Sequence, residues 1–161
     1  MELTHVDAAG AARMVDVSDK AAGPRVAVAT GMLRTTAEVL ELLRRDGLPK
    51  GDALATARIA GIMGAKRTPD LVPLCHPIAL TGVTVDLELT DAPEPAILIT
   101  ATVKTTDRTG VEMEALTAVA VAGLTLHDMV KAVDPAAVLD AVQVVRKDGG
   151  KTGRWTRPEG R

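Results

Sequence analysis

The clearest alternation of apolar and polar positions lies at residues 82–89, GVTVDLEL, where Val83, Val85, Leu87 and Leu89 fall on one side. A period of two predicts a half-buried β-strand. The turn TDAPEPA follows, and residues 96–104, AILITATVK, predict a second strand, so the two form a hairpin. Residues 25–33, RVAVATGML, alternate well enough for an earlier strand, and AVLDAVQVVRK at 137–147 predicts a last one. Residues 3–17 predict a short ribbon, with LTHVD and RMVDV on either side of a small-residue turn at AAGAA.

Elsewhere the spacing is helical. In TTAEVLELLRRDG, Thr35 and Glu38 have capping-box spacing, Val39, Leu42 and Leu43 make an apolar stripe, and Gly47 stops the helix. A second helix begins at Asp52 and runs through ALATARIAGIMGAKR until Pro69 terminates it. Its alanines and glycines predict a face pressed close against a neighbour. Residues 110–133 are apolar nearly all round, which predicts a long, largely buried helix. Between these helices, Pro73 and Pro77 remove two backbone donors from LVPLCHPIAL, so residues 71–80 read as an extended loop or sheet edge.

With the ribbon set aside, the order is β-αα-β-β-α-β. That order predicts an α+β fold of the ferredoxin-like, split β-α-β kind, a four-stranded antiparallel sheet covered by helices, plus the N-terminal β ribbon. No repeat or linker divides the chain, so residues 1–161 are expected to be a single domain, with the ribbon at 1–20 and a flexible basic tail at 148–161. Such a fold supports many functions and decides nothing about chemistry.

Composition narrows the picture. Trp155 is the only aromatic residue, so the core has to be built from Ala, Val, Leu, Ile and Met, and the elements must approach closely to reach native packing density. A net charge of −2 gives no global field for nucleic acid, and the missing aromatics remove the platforms on which single-stranded bases stack. One cysteine allows no intrachain disulfide, which fits a reducing compartment. The N-terminal stretch has no apolar signal-peptide region, and the longest charge-free stretch, 71–85, falls short of the roughly 20 apolar residues of a membrane span. The expectation is a cytoplasmic protein that binds neither nucleic acid nor membrane.

Cys75 and His76 are adjacent. In an extended segment neighbouring side chains point to opposite faces, so they are not expected to pair as nucleophile and base. Zinc would need further Cys or His ligands nearby, and the sequence has none, so no metal site is assigned. Cys75 reads as a small buried hydrophobe. His76, held between two prolines, reads either as a polar site residue or as a satisfied structural histidine. KDGGKTG at 147–153 resembles half a phosphate loop, but Val145 stands where a Walker A motif needs glycine. Its backbone amides, beside Lys147 and Lys151, suit phosphates; the alternative is a solvated tail.

The long helix carries the strongest signal. Glu112 and Glu114 lie in its first turn, where carboxylates stabilise the helix dipole. Asp128 and Lys131, spaced i, i+3 on an otherwise apolar helix, form either a structural ion pair or an acid–base pair. Glu114 and Asp128 are fourteen residues apart, about 21 Å along a helix at 1.5 Å per residue, too far to grip one small ligand. If both serve one site, a second subunit must bring them together.

Several stretches are jointly familiar: MVDVS (14–18), KGDALATARIAGI (50–62), AKRTPDLVPLCHP (65–77), TGVEMEALTA (109–118), DMVKA (128–132) and GGKTG (149–153). In this order they closely resemble the MoaC-type family of cyclic pyranopterin monophosphate synthases, which act in molybdenum cofactor biosynthesis. The resemblance spans nearly the whole chain and is weakest over 21–48 and 90–100. It implies conversion of 3′,8-cyclised dihydro-GTP, made by a partner radical-SAM GTP cyclase, to cyclic pyranopterin monophosphate with release of diphosphate. It also implies a ferredoxin-like subunit in a homohexamer, a trimer of dimers, with active sites between subunits. Carried over by position, Asp128 and Lys131 are the acid–base pair and Lys50 a further catalytic lysine. Leu74, Cys75 and His76 line the substrate pocket with Glu112, Met113 and Glu114, while Lys20, Arg25, Lys66 and Lys147 contact phosphate or purine. No cofactor is implied with certainty. One departure stands out: His127 precedes DMVKA where the family usually has an aromatic residue. The competing reading is a non-catalytic ferredoxin-like module that binds a nucleotide and releases it unchanged.

Overall fold

In the computed structural model, which describes residues 6–151 and 153–159, the two central strands are the longest. They are β1 (Gly23–Arg34) and β3 (Ala96–Asp107), antiparallel in unbroken register from Gly23↔Asp107 to Arg34↔Ala96. Around them run α1 (Ala37–Arg44), α2 (Ala53–Lys66), the short α3 (Thr68–Leu71), β2 (Leu80–Thr90), α4 (Glu112–Val130), β4 (Val138–Asp148) and β5 (Trp155–Thr156). The sheet order is β2-β3-β1-β4-β5, antiparallel throughout. Its first four strands have the expected ferredoxin-like order. The fifth is an addition: Trp155 and Thr156 pair with Lys147 and Arg146, so part of the basic tail folds back on β4.

Alternation explains which face is buried. Ala27, Ala29 and Leu33 of β1 and Ile97, Ile99, Ala101 and Val103 of β3 are all fully buried on one side. Helix α4 packs on that side against β1, β3 and β4, and α2 packs beside it against β2. At Gly31 a methyl group would come within 2.7 Å of Val119 Cγ1, so this glycine lets α4 lie close to the sheet. The core is aliphatic, as the composition demands, and closeness replaces bulk in it.

The α2–α4 seam is also a close contact. Ala53, Ala57, Gly61, Gly64 and Ala65 form the buried stripe of α2. A methyl on Gly61 would meet the Ala118 carbonyl oxygen at 2.9 Å, Val85 Cγ2 at 3.1 Å and Ala122 Cβ at 3.2 Å. The small-residue face expected from sequence is therefore real, and its neighbour is α4.

Local boundaries differ in instructive ways. Helix α1 is capped by Thr36, whose hydroxyl accepts from the Val39 N–H at 3.3 Å, and not by Thr35. Thr35 instead donates to Asp134 at 2.8 Å, a tertiary contact that wins over the local capping box. The residue with positive φ after α1 is Asp46, while Gly47 N–H returns to the Leu42 carbonyl at 2.8 Å. Helix α2 ends at Lys66, and Pro69 sits in the first turn of α3, where a missing N–H costs nothing. At the N-terminus the bridge Val6↔Ala12 closes the small-residue turn. The start of the expected ribbon, at residues 3–5, lies outside the described residues.

The seam yields a stability prediction. Gly61→Val should lower the unfolding free energy by about 2 kcal/mol, overpacking of a tight core being worth roughly 1–3 kcal/mol, read as a lower urea midpoint. An unchanged midpoint would mean that α2 and α4 part easily, contrary to the close approach described here.

Candidate functional site

The segment after α3 is a turn. The Cys75 N–H donates to the Val72 carbonyl at 3.0 Å, and the chain becomes strand only at Leu80. Thr105 of β3 donates its hydroxyl to the Ala79 carbonyl at 2.6 Å and so ties the end of the turn to the sheet. Because the backbone turns, strict alternation of side chains does not apply. Leu74, Cys75 and His76 all border one cavity of about 430 Å³, which corrects the expectation that Cys75 and His76 face opposite ways. His76 does not engage the thiol. Its Nε2 hydrogen-bonds the Val15 carbonyl at 2.7 Å, and since a carbonyl only accepts, Nε2 carries the proton.

The other wall of this cavity is the first turn of α4. Val111 is the N-cap, without a capping side chain, and Glu112, Met113 and Glu114 follow it in the first turn. Glu114 is 3% exposed, and burial raises its carboxyl pKa above the ordinary range. Cys75 is shifted in the same direction, by burial first and by the charge of Glu114 second, so its thiol stays protonated at neutral pH. Neither change favours a thiolate nucleophile.

A second cavity, of about 810 Å³, adjoins the first and shares Lys20, Thr109, Gly110 and Glu112 with it. Both volumes fall in the range of small-molecule sites. Lys20, Arg25, Arg108, Lys147 and Lys151 bring five cations to its walls. Of its carboxylates, Glu112 pairs with Lys147 at 3.1 Å, and Asp148 is held by Arg146 and Arg154. The Arg154 hydrogen bond is the main reason the Asp148 pKa lies below the ordinary carboxylate value. Gly149 and Gly150 have φ of +99° and +77° and lie against Arg25, where a methyl on Gly150 would sit 2.9 Å from Nη1. The Nε of Arg25 is buried and has no hydrogen-bond partner among the described residues. Lys66, at the exposed end of α2, lines neither cavity.

A separate cluster stands at the opposite end of α4. Asp128 bridges two lysines, with Oδ2 to Lys50 Nζ at 2.7 Å and Oδ1 to Lys131 Nζ at 2.7 Å. The expected pairing of Asp128 with Lys131 is present, and Lys50, from the turn before α2, joins it. The burial expected for this pair is absent in the subunit: the Asp128 side chain is 54% exposed. Hydrogen bonds from Lys131 and Lys50 lower the Asp128 pKa to about 2, so the carboxylate is ionised at neutral pH and a weak proton acceptor there. His127 lies half-buried in the last turn of α4 beside this cluster.

The fold thus gathers Lys20, Arg25, Leu74, Cys75, His76, Glu112, Met113, Glu114 and Lys147 at one end of α4, and Lys50, Asp128 and Lys131 at the other. Thr109 and Gly110, the first two residues of TGVEMEALTA, line both cavities, and Arg108, just before them, lines the larger one. Among the described residues no group of three or more His, Cys, Asp or Glu side chains is placed to hold a metal ion.

Comparison with known proteins agrees with this picture. The MoaC family profile matches residues 14–150. A cyclic pyranopterin monophosphate synthase from Nocardioides is 64% identical over 156 residues, covering 97% of this chain and 96% of that protein. One from Streptomyces coelicolor is 66% identical over 155 residues, covering 96% and 89%. Cyclic pyranopterin monophosphate synthase 2 from Mycobacterium tuberculosis is 63% identical over 156 residues, covering 97% and 92%.

The protonated state of Cys75 can be checked directly. At neutral pH its alkylation by iodoacetamide should be slower than that of a free cysteine, whose pKa is about 8.5, and should accelerate only at a higher pH than for the free residue. A rate at neutral pH above that of free cysteine would reveal a thiolate and reverse the reading.

Proposed function

The chain belongs to the MoaC family, and on that premise and the geometry above we propose that it converts 3′,8-cyclised dihydro-GTP to cyclic pyranopterin monophosphate, releasing diphosphate. The observation that carries the chemistry is the pair of adjoining cavities. One is lined by five cations, and the other by a buried carboxyl, a histidine and apolar side chains. A polyphosphate joined to a polar ring system needs that division.

In this reading the triphosphate occupies the cationic cavity, with Lys20, Arg25 and Lys147 as its ligands and the amides of Gly149 and Gly150 beside it. Lys147 leaves Glu112 for the phosphates. The purine-derived ring lies among Leu74, Cys75, His76, Met113 and Glu114. The Nδ1 of His76, an acceptor because Nε2 carries the proton, meets an N–H of the ring, Glu114 meets its other polar groups, and Cys75 supplies bulk and backbone. Lys66 serves the same ligand only from a neighbouring subunit, because within its own chain it stands outside both cavities.

Formation of the cyclic phosphate is a displacement at the α-phosphorus. A sugar hydroxyl loses its proton and attacks, and the bond from the α-phosphorus to the bridging oxygen of diphosphate breaks. The departing diphosphate carries the electron pair, and cations stabilise it. Opening and reclosing the rings requires proton transfers to and from nitrogen and oxygen. Lys131 and Lys50 are the proton carriers, and Asp128, ionised between them, orients both ammonium groups.

Those three residues reach the nucleotide only if a second subunit supplies them, since fourteen residues of helix separate Glu114 from Asp128, about 21 Å. We therefore propose a homohexamer, a trimer of dimers, with sites between subunits. The exposed Ile59 and Met63 of α2 and Leu124 of α4 support it, being 59%, 53% and 64% accessible on the lone subunit. A cytoplasmic location and a substrate supplied by a radical-SAM GTP cyclase complete the proposal.

The test is incubation with enzymatically made cyclised dihydro-GTP. Product pterin and diphosphate should appear in equal amounts. Asp128→Ala and Lys131→Ala should each cut turnover by about a hundredfold or more, the range of general acid–base catalysis, while circular dichroism and oligomer size stay unchanged. Nucleotide bound and recovered intact would favour a non-catalytic binding module, and full activity in either variant would make the ion pair structural.

A further inference from the structure

Residues 13–17 belong to no strand or helix, and 18–20 form only a turn and a bend, yet residues 15–20 wall both cavities. Val15, Val17 and Lys20 border the smaller, and Asp16, Asp19 and Lys20 border the larger. A segment without ladder hydrogen bonds has to be fixed in some other way if it is to present a side chain reproducibly. Among the described residues, two side chains from the body of the fold bind the backbone of residues 15–20. His76 donates to the Val15 carbonyl at 2.7 Å, and Arg108 Nη1 donates to the Ser18 carbonyl at 2.9 Å.

Between these tethers the segment is stiff. Asp16 Oδ1 accepts from the Ser18 N–H at 2.8 Å and from its hydroxyl at 2.6 Å, and Lys20 N–H donates to the Val17 carbonyl at 3.0 Å. Holding the Ser18 carbonyl therefore holds Lys20, two residues on. Arg108 is itself well seated, just beyond β3, where its N–H donates to the side chain of Asp107 at 2.6 Å.

We propose that Arg108 is a positioning residue: by gripping the Ser18 carbonyl it places Lys20 on the wall common to the two cavities, and it acts through Lys20 and not on the nucleotide. The bond is between a charged donor and a backbone acceptor, the stronger class of hydrogen bond. A cation at the mouth of a phosphate cavity invites the opposite assignment, direct contact with the ligand, and the two assignments separate by experiment. The kinetic part rests on the function proposed above; the exchange part does not.

Two measurements are made on the full-length protein and on Arg108→Met, Arg108→Lys, Lys20→Ala and the Arg108→Met/Lys20→Ala double variant. Amide hydrogen exchange without ligand should be at least about tenfold faster over residues 16–20 in Arg108→Met, with β1 and α4 unchanged, as expected for local loosening. With cyclised dihydro-GTP, Arg108→Met and Lys20→Ala should each raise KM by about tenfold and leave kcat within about threefold, and the double variant should be no worse than about threefold beyond either single, the non-additivity of one coupled unit. Arg108→Lys, which keeps a charged donor, should recover most of both effects. Unchanged exchange over 16–20 overturns the proposal, as does full multiplication of the two KM factors, which would make Arg108 a phosphate ligand. If Arg108→Met does not fold, Arg108→Lys decides: its exchange and KM should lie close to those of the parent, and a large KM rise with normal exchange contradicts the proposal. If no variant or parent turns the nucleotide over, the function fails and exchange alone decides the tether.

Discussion

A methyl group on Gly61 would stand 2.9 Å from the carbonyl oxygen of Ala118, and one on Gly64 would stand 2.8 Å from Val121 Cβ. This near contact of two helix backbones is the constraint on which the rest depends. With no Phe or Tyr in the chain and Trp155 37% exposed in the tail, burial has to come from many small groups brought close. Helix α4 can lie flat on the sheet with α2 close beside it only while Gly31, Gly61 and Gly64 remain without side chains. Once it lies there, its direction is fixed, and its first turn and last turn become two separated platforms. Glu112 and Glu114 stand on one and Asp128 on the other.

Charge is organised around those platforms. The chain carries a net charge of −2, yet five cations line one cavity beside four carboxylates, two of which are engaged by basic neighbours. At the far end of α4 one carboxylate stands between two lysines. Such a cluster, half-exposed on a lone subunit, is built like one half of a site. Net charge alone therefore gave a poor guide to ligand chemistry, whereas its local distribution is informative.

Much of the fold was legible because its signals are local. Strict alternation at 82–89, the proline pair in 71–80 and the alanine–glycine stripe of α2 each report on a few neighbouring residues, and the sheet order followed from their succession. The errors lie where a distant residue intervenes. Thr35 reads as a cap, but Asp134, ninety-nine positions away, takes its hydroxyl. Cys75 and His76 read as opposed because an extended chain was assumed, and a single turn hydrogen bond to Val72 puts both on one cavity. Strand β5 is two residues long, too short to show any period. At the site, the Asp128–Lys131 pair was visible as an i, i+3 spacing, while the Lys50–Asp128 contact spans seventy-eight residues and the resemblance, not spacing, pointed to it. The Asp128–Lys131 pair was expected to be buried because the helix is apolar, but both side chains are more than half exposed at its C-terminal end, whereas Glu114 in the first turn is buried.

The central claim is that a working site combines the first turn of α4 from one subunit with the last turn from another. Subunit exchange between two inactive proteins tests it most directly, with Asp128→Ala supplying intact cavities and His76→Ala supplying an intact lysine–aspartate cluster. After confirmed exchange, the mixed assemblies should regain part of the parental activity toward cyclised dihydro-GTP, since some interfaces then hold a complete set. No recovery in assemblies shown to contain both chains, or full activity in a demonstrated monomer, would contradict the account.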